Sequence, residues 1–327
     1  MLNYLAKRLV YMIVVCILIS IISFIIIQLP PGDYLTTYVS NLQRDGRDIS
    51  QQQLQAMEER YGLNQPVYKQ YFIWFTNFLR GDMGRSFEYN APVNTLIWER
   101  LALTFVISFS SMLFTWIVAF PIGILSALKQ YSFADYFFTF LSFIGLAIPN
   151  FMLALVLMFV GFEYLGINVG GLFSPEYQDA AWSFAKFVDM LQHLWVPTIV
   201  VGTAGTAGMV RVMRNNLLDE LGKNYVTTAR AKGLKTRKLI LKYPVRIALN
   251  PFISTIGWQL PALVSGATIT SVVLNLPTSG PLLLGALKSQ DMYLAGSFVM
   301  LLSILTVIGT LISDILLALL DPRIRYE

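Results

Sequence analysis

The sequence predicts an all-α integral membrane protein with six transmembrane helices. Three observations carry this. Only 13% of the 327 residues are charged and 55% are hydrophobic, about half the charge of an average soluble domain. The missing charge is concentrated in long blocks, which points to spanning helices rather than one oversized core. Basic residues gather in the segments on one side of those blocks, while the two shorter segments on the other side carry Lys186 and Lys288 alone. That asymmetry sets orientation, with the basic side inside and both termini in the cytoplasm.

Residues 1–29 form a short cytoplasmic tip and the first span. Lys7 and Arg8 precede a run from Leu9 to Leu29 with no charge. A secretory signal peptide would have a shorter apolar region and a small-residue cleavage site. This run ends Gln28-Leu29-Pro30-Pro31, so it reads as an uncleaved span. Residues 30–100 differ in kind, with seven basic and eight acidic residues, and form an extracytoplasmic segment with a helix from Ser50 to Tyr61. Its aromatic patch, Tyr68, Tyr71, Phe72, Trp74, Phe75 and Phe78, reads as an interfacial helix on the headgroup layer.

Residues 101–320 hold the other five spans. Leu101–Leu128 is the second, with Pro121 and Gly123 towards its inner end, and Lys129–Asp135 is a short inner turn. Phe137–Leu165 is the third, broken at Pro149-Asn150, followed by an outer loop from Gly166 to Gln192. Trp195–Met213 is the fourth, Phe252–Leu276 the fifth and Met292–Leu320 the sixth. Between the last two, Pro277–Asp291 returns the chain outside. Each block meets or approaches the roughly 20 residues needed to cross the hydrocarbon. Residues 321–327 end inside.

The longest polar interruption of the second half is 215–251, with eight of the 24 Lys and Arg residues against Asp219 and Glu220. Leu217, Leu218, Leu221, Tyr225 and Val226 recur at helical spacing, as do Leu234, Leu239, Ile240 and Leu241 beyond Gly233. This predicts two short amphipathic helices with a glycine between them. Such a loop is disordered, lies on lipid, or docks a cytosolic partner.

No catalytic constellation is visible, and no cofactor site. Gly202, Gly205 and Gly208 lie in an apolar helix with no Lys-Ser or Lys-Thr after them, so they allow close helix packing rather than phosphate binding. His193 is the lone histidine, at the outer mouth of the fourth span, and Cys16 the lone cysteine. Asp314 is the one acid well inside a span, where structural pairing competes with a proton relay. Pro149, Pro197 and Pro261 free backbone carbonyls that neighbours or cavity water must satisfy. Broken helices of that kind suit a gated path, and Asn150, Gln259 and Ser265 are its candidate lining residues, with packing between helices as the competing role.

Tyr225-Val226-Thr227-Thr228-Ala229-Arg230-Ala231-Lys232-Gly233-Leu234 resembles the coupling-loop signature of ABC importer permeases, in the oligopeptide/dipeptide (Opp/Dpp B-type) family. Ala229 and Gly233 hold the register. Thr227 and Thr228 replace the usual Glu and Ala, and the Leu-Pro end is displaced to Leu249-Asn250-Pro251. Pro31-Gly32-Asp33, Tyr61–Pro66, Arg80–Ser86, Pro92-Val93 and Leu319–Arg325 resemble further family motifs in the same order, whereas the usual Pro-Gly-Leu-Gly is Pro277-Thr278-Ser279-Gly280.

The resemblance implies a type I ABC importer transmembrane domain in a prokaryotic inner membrane. It implies a second, paralogous permease subunit, two ABC ATPase subunits that hold ATP and Mg, and an extracytoplasmic solute-binding protein. Membrane lipid is the remaining partner and nucleic acid is not one. Thr227, Thr228, Ala229, Arg230, Ala231, Lys232, Gly233 and Leu234 would contact an ATPase. The solute would be peptide, oligosaccharide or metal chelate. Two readings outside the resemblance stay open: an ion-gradient-driven secondary transporter using Asp314, and a scaffold holding anionic lipid through the basic loop.

Overall fold

The computed structural model of the chain describes residues 2–29, 39, 50, 52, 54–55, 59, 64–167, 169–249, 252 and 267–320. Among these the long elements are helices: α1 (Leu2–Gln28), α2 (Val67–Leu79), α3 (Val93–Leu128), α4 (Phe133–Ala147), α5 (Asn150–Leu165), α6 (Phe184–His193) and α7 (Trp195–Leu221). They continue as α8 (Asn224–Ala231), α9 (Thr236–Lys242), α10 (Pro244–Ala248), α11 (Thr268–Val273), α12 (Ser279–Lys288) and α13 (Met292–Leu320). Four of them, α1, α3, α7 and α13, are long and apolar enough to cross a membrane, and α4 with α5 makes a fifth if that bent pair is one span. The expected span Phe252–Leu276 lies outside the described residues, apart from Phe252 and the stretch from residue 267 that includes α11.

The chain divides into two compact units. In the first, α1 runs along α13 and α2 packs its aromatic face on a core with Phe24, Ile97, Leu294 and Phe298. Trp74 is buried there, and its Nε1 donates to Ser297 Oγ at 3.2 Å. The aromatic patch is therefore split. Tyr68 and Phe72 point outward, while Trp74 and Phe78 are core rather than headgroup contacts, because the helical repeat turns alternate aromatics to opposite faces.

Asp291 organises the other side of this unit. Fully buried, it accepts from Ser86 Oγ at 2.6 Å, Phe87 N at 2.7 Å, Glu88 N at 3.1 Å and Leu294 N at 3.1 Å. It thereby caps α13 and ties the Arg80–Ser86 loop to it. Gly84 in that loop has φ +76°, and a Cβ there would stand 2.5 Å from the Tyr293 ring. Both the backbone and the space demand glycine.

The second unit is built on α7. On one side α3 approaches it closely: Ser110 Oγ and Thr198 Oγ1 lie 2.8 Å apart, and Thr115 Oγ1 donates to Gly202 O at 3.1 Å. The pair α4–α5 packs on α7 as well. The third predicted span is not straight: α4 and α5 meet at 97°. Ile148 is extended (ψ 118°) ahead of Pro149, as a residue before proline prefers, and the proline has no N–H to continue the helix. The helix of the fourth span continues past Met213: α7 runs on to Leu221, through the Leu217, Leu218 and Leu221 positions of the polar stretch.

The segment after α5 is folded too. Buried Lys186 donates its Nζ to Gln178 O and Ala180 O at 3.3 and 2.6 Å and sits over the Phe173 and Trp182 rings. His193 closes α6, its Nδ1 2.8 Å from Asp189 O.

Candidate functional site

The basic stretch folds as a helical hairpin anchored on the end of α7. Its first helix, α8, buries Val226 and half-buries Tyr225 and Ala229; of the apolar stripe expected from Leu217 to Val226, the three leucines lie on α7 and only Tyr225 and Val226 on α8. The second, α9, buries Leu239 and Ile240, and α10 buries Val245 and Ala248. All meet Met213 and Leu217 of α7 and Ala127 of α3 in one apolar cluster. Burying side chains such as Leu217 and Leu239 contributes roughly 1.5–3 kcal/mol each, enough to make hairpin and α7 a single packed body. Asn216 Nδ2 adds a long bond to Ala248 O at 3.5 Å.

The turn between the helices has a specific chemistry. Gly233 has φ +77°, its N–H donates to Arg230 O at 3.0 Å, and Leu234 N donates to Ala229 O at 3.4 Å. This is a Schellman end, with glycine at the left-handed position and the flanking Ala229 and Leu234 on the same apolar cluster. Tyr225 completes the base: its hydroxyl donates to Glu220 Oε2 at 2.7 Å. Burial, then the bond and charge of Glu220, pushes its pKa up to about 12, so it stays a donor at any physiological pH.

Of the eight residues singled out from the sequence, six lie on the exposed ridge of this hairpin: Thr227, Thr228, Arg230, Ala231, Lys232 and Gly233. Ala229 and Leu234 are half-buried anchors. The geometry therefore presents polar and basic groups outward from a rigid apolar base, without a nucleophile or a paired acid. Asn150 opens α5 at the bend and is half-buried; Gln259 and Ser265 lie outside the described residues, as does the side chain of Asp314.

An ion pair missed by sequence reasoning stands beside the hairpin. Arg214 of α7 donates Nε to Asp135 Oδ1 at 2.9 Å and Nη2 to Oδ2 at 2.8 Å. Asp135 lies in the first turn of α4, where Ser132 Oγ caps its N–H at 3.3 Å and its Oδ2 accepts from Tyr131 N at 3.0 Å. The Ser132-x-x-Asp135 spacing, a capping-box pattern, was the available signal. It marks the helix start and not the distant arginine.

Comparison with known proteins shows what the chain as a whole is similar to. Residues 119–326 match the family described as binding-protein-dependent transport system inner membrane component, and residues 1–108 match its N-terminal companion. The chain is 37% identical to the oligopeptide transport system permease protein AppB of Bacillus subtilis, covering 99% of each. It is 31% identical to the dipeptide transport system permease protein DppB of Alkalihalophilus pseudofirmus, and 31% to the oligopeptide transport system permease protein OppB of Haemophilus influenzae, over all of each chain.

Proposed function

We propose that this chain, which belongs to the family of binding-protein-dependent transport system inner membrane components, receives the work of a partner ATPase through its basic hairpin. It is a membrane permease subunit of a binding-protein-dependent ABC importer. The observation that carries the coupling role is the exposed Thr227–Gly233 ridge on a buried apolar base continuous with α7. A segment displaced by a motor must move as a body, and packed elements transmit displacement where disordered loops absorb it. The same packing weighs against a disordered loop or one lying flat on lipid, since its apolar face is already used within the chain.

In this reading the hairpin and both termini are cytoplasmic, six spans form half of a type I importer, and a second permease subunit forms the other half. Two ATPase subunits bind ATP and Mg beneath, and an extracytoplasmic protein delivers the solute. The relatives are named for oligopeptide and dipeptide transport, which favours peptide over oligosaccharide or metal chelate. The bend at Pro149 with Asn150 beside it supplies a candidate stretch of the path.

Gentle detergent purification of the tagged chain, with subunit identification and an ATPase assay, tests this. Recovery of a second permease and an ATP-hydrolysing subunit is expected, and recovery of the chain alone with gradient-driven uptake would overturn it. Equilibrium binding of peptides and oligosaccharides to the co-purified extracytoplasmic protein then decides the solute.

A further inference from the structure

We propose that the cleft between α4 and α7 is a binding site for a monoanionic phosphate group. The cleft encloses about 190 Å³, and Arg211, Arg214 and Asp135 line it. Arg214 and Asp135 satisfy each other through two hydrogen bonds, which leaves the charge of Arg211 uncompensated. That side chain is exposed, its guanidinium 4.8 Å from the centre of the Phe143 ring, and among the described residues no carboxylate pairs with it. The Phe143 contact restricts the guanidinium and so presets it for a ligand.

Of the neutral polar groups of the cleft, the Ser142 hydroxyl is committed to Phe138 O at 2.7 Å and three others are not. The Tyr136 hydroxyl, the Thr139 hydroxyl and the Asn215 amide line it without a hydrogen-bond partner among the described residues. One free positive charge with several neutral donors complements a single negative charge spread over several oxygens. Guanidinium and phosphate match in bidentate geometry.

Position selects phosphate among anions. α4 is apolar enough to belong to a membrane span, and its start carries exposed Tyr131, Phe133 and Tyr136 beside exposed Lys129. Aromatic and basic residues so mixed mark headgroup depth at the Tyr131–Tyr136 end of the cleft, with Arg211 against Phe143 about two to three turns further along α4. A basic pocket between spanning helices that opens at that depth is the general form of a lipid-phosphate site. The phosphodiester of an anionic phospholipid and free inorganic phosphate share this chemistry. Once occupied, the site bridges α4 and α7 beside their ion pair. The inference needs the chain to be membrane-embedded but not that the hairpin docks an ATPase.

The test uses the intact importer complex, wild type against Arg211→Gln, in phosphatidylcholine nanodiscs. One arm adds phosphatidylglycerol and counts retained lipid by native mass spectrometry. The other adds radiolabelled inorganic phosphate and measures binding. Retention of phosphatidylglycerol should fall roughly five- to tenfold in Arg211→Gln and only partly in Arg211→Lys. If the variant loses inorganic phosphate binding instead, the site stands with free phosphate as its ligand. Equal retention and equal phosphate binding in wild type and variant overturns the proposal. So does a disulfide from Arg211→Cys to a partner subunit beside one of its acids, which would show that a protein carboxylate fills the cleft. Should Arg211→Gln fail to assemble, Thr139→Val with Asn215→Ala is read on the same two measurements.

Discussion

Arg214 grips Asp135 fork to fork, with parallel bonds of 2.9 and 2.8 Å, and the carboxylate side chain is only 4% exposed. The pair fastens the bent α4–α5 unit to the helix that carries the hairpin. Removing one partner strands a buried charge, which typically costs 3–5 kcal/mol, whereas removing both is far milder. Arg214→Ala should therefore lower the thermal midpoint of the purified complex sharply, and Asp135→Asn with Arg214→Gln should recover much of it. Additive losses in this double-mutant cycle would contradict a direct pair.

Three glycines on α7 look equivalent in the sequence and are not. A Cβ at Gly202 would lie 2.6 Å from Phe114 Cδ1 and 3.2 Å from the Ser111 carbonyl. At Gly205 it would meet the Thr115 hydroxyl at 3.3 Å, and at Gly208 nothing within 4 Å. Gly202→Ala should destabilise by about 1–3 kcal/mol through overpacking. Gly208→Ala should be neutral or stabilising by about 0.5–1 kcal/mol from helix propensity. Thermal midpoints of the three alanine variants check the order Gly202, Gly205, Gly208; a flat series would mean that α3 and α7 do not approach as described.

Gly233→Asp separates docking from folding. A Cβ there has open space around it, so the cost to the fold is the left-handed backbone alone, about 1–2 kcal/mol. The variant should insert and accumulate normally yet lose solute uptake, because a charged side chain now stands on the exposed ridge. Uptake assays against membrane levels measure both, and normal uptake would remove the hairpin from the coupling role.

Asp189 supplies a pH dependence. Burial pushes its carboxyl up, but two bonds from Ser174, at 2.8 and 2.5 Å, and the neighbouring His193 pull it further down, below its ordinary 3.8. A depressed carboxylate stabilises the fold above its unfolded pKa, and that contribution disappears as pH falls through the folded value. Asp189→Asn should thus be less stable than the parent near neutral pH and converge with it in acid. A gap that persists unchanged into strong acid would contradict this.

The hairpin was legible because its apolar residues recur at a helical period and Gly233 interrupts them at the one left-handed position of the turn. Arg214 and Asp135 were not, because the pair joins residues 79 apart in the chain, and spacing rules reach only one or two helical turns. Asp291 and Ser86, 205 residues apart, were hidden for the same reason. Pro149 marked the break in the third span, but not the 97° angle between its halves, both of which pack on α7.

What the hairpin touches can be read by disulfide cross-linking in the native complex. With Cys16, the single native cysteine, replaced by serine, Ala231→Cys places one thiol on the exposed ridge of α8. Paired with cysteines across the facing surface of the ATPase subunit, it should form a disulfide to that subunit and stop transport until reduced. A thiol that joins no ATPase subunit and reacts freely with a water-soluble maleimide in the assembled importer would contradict the docking role.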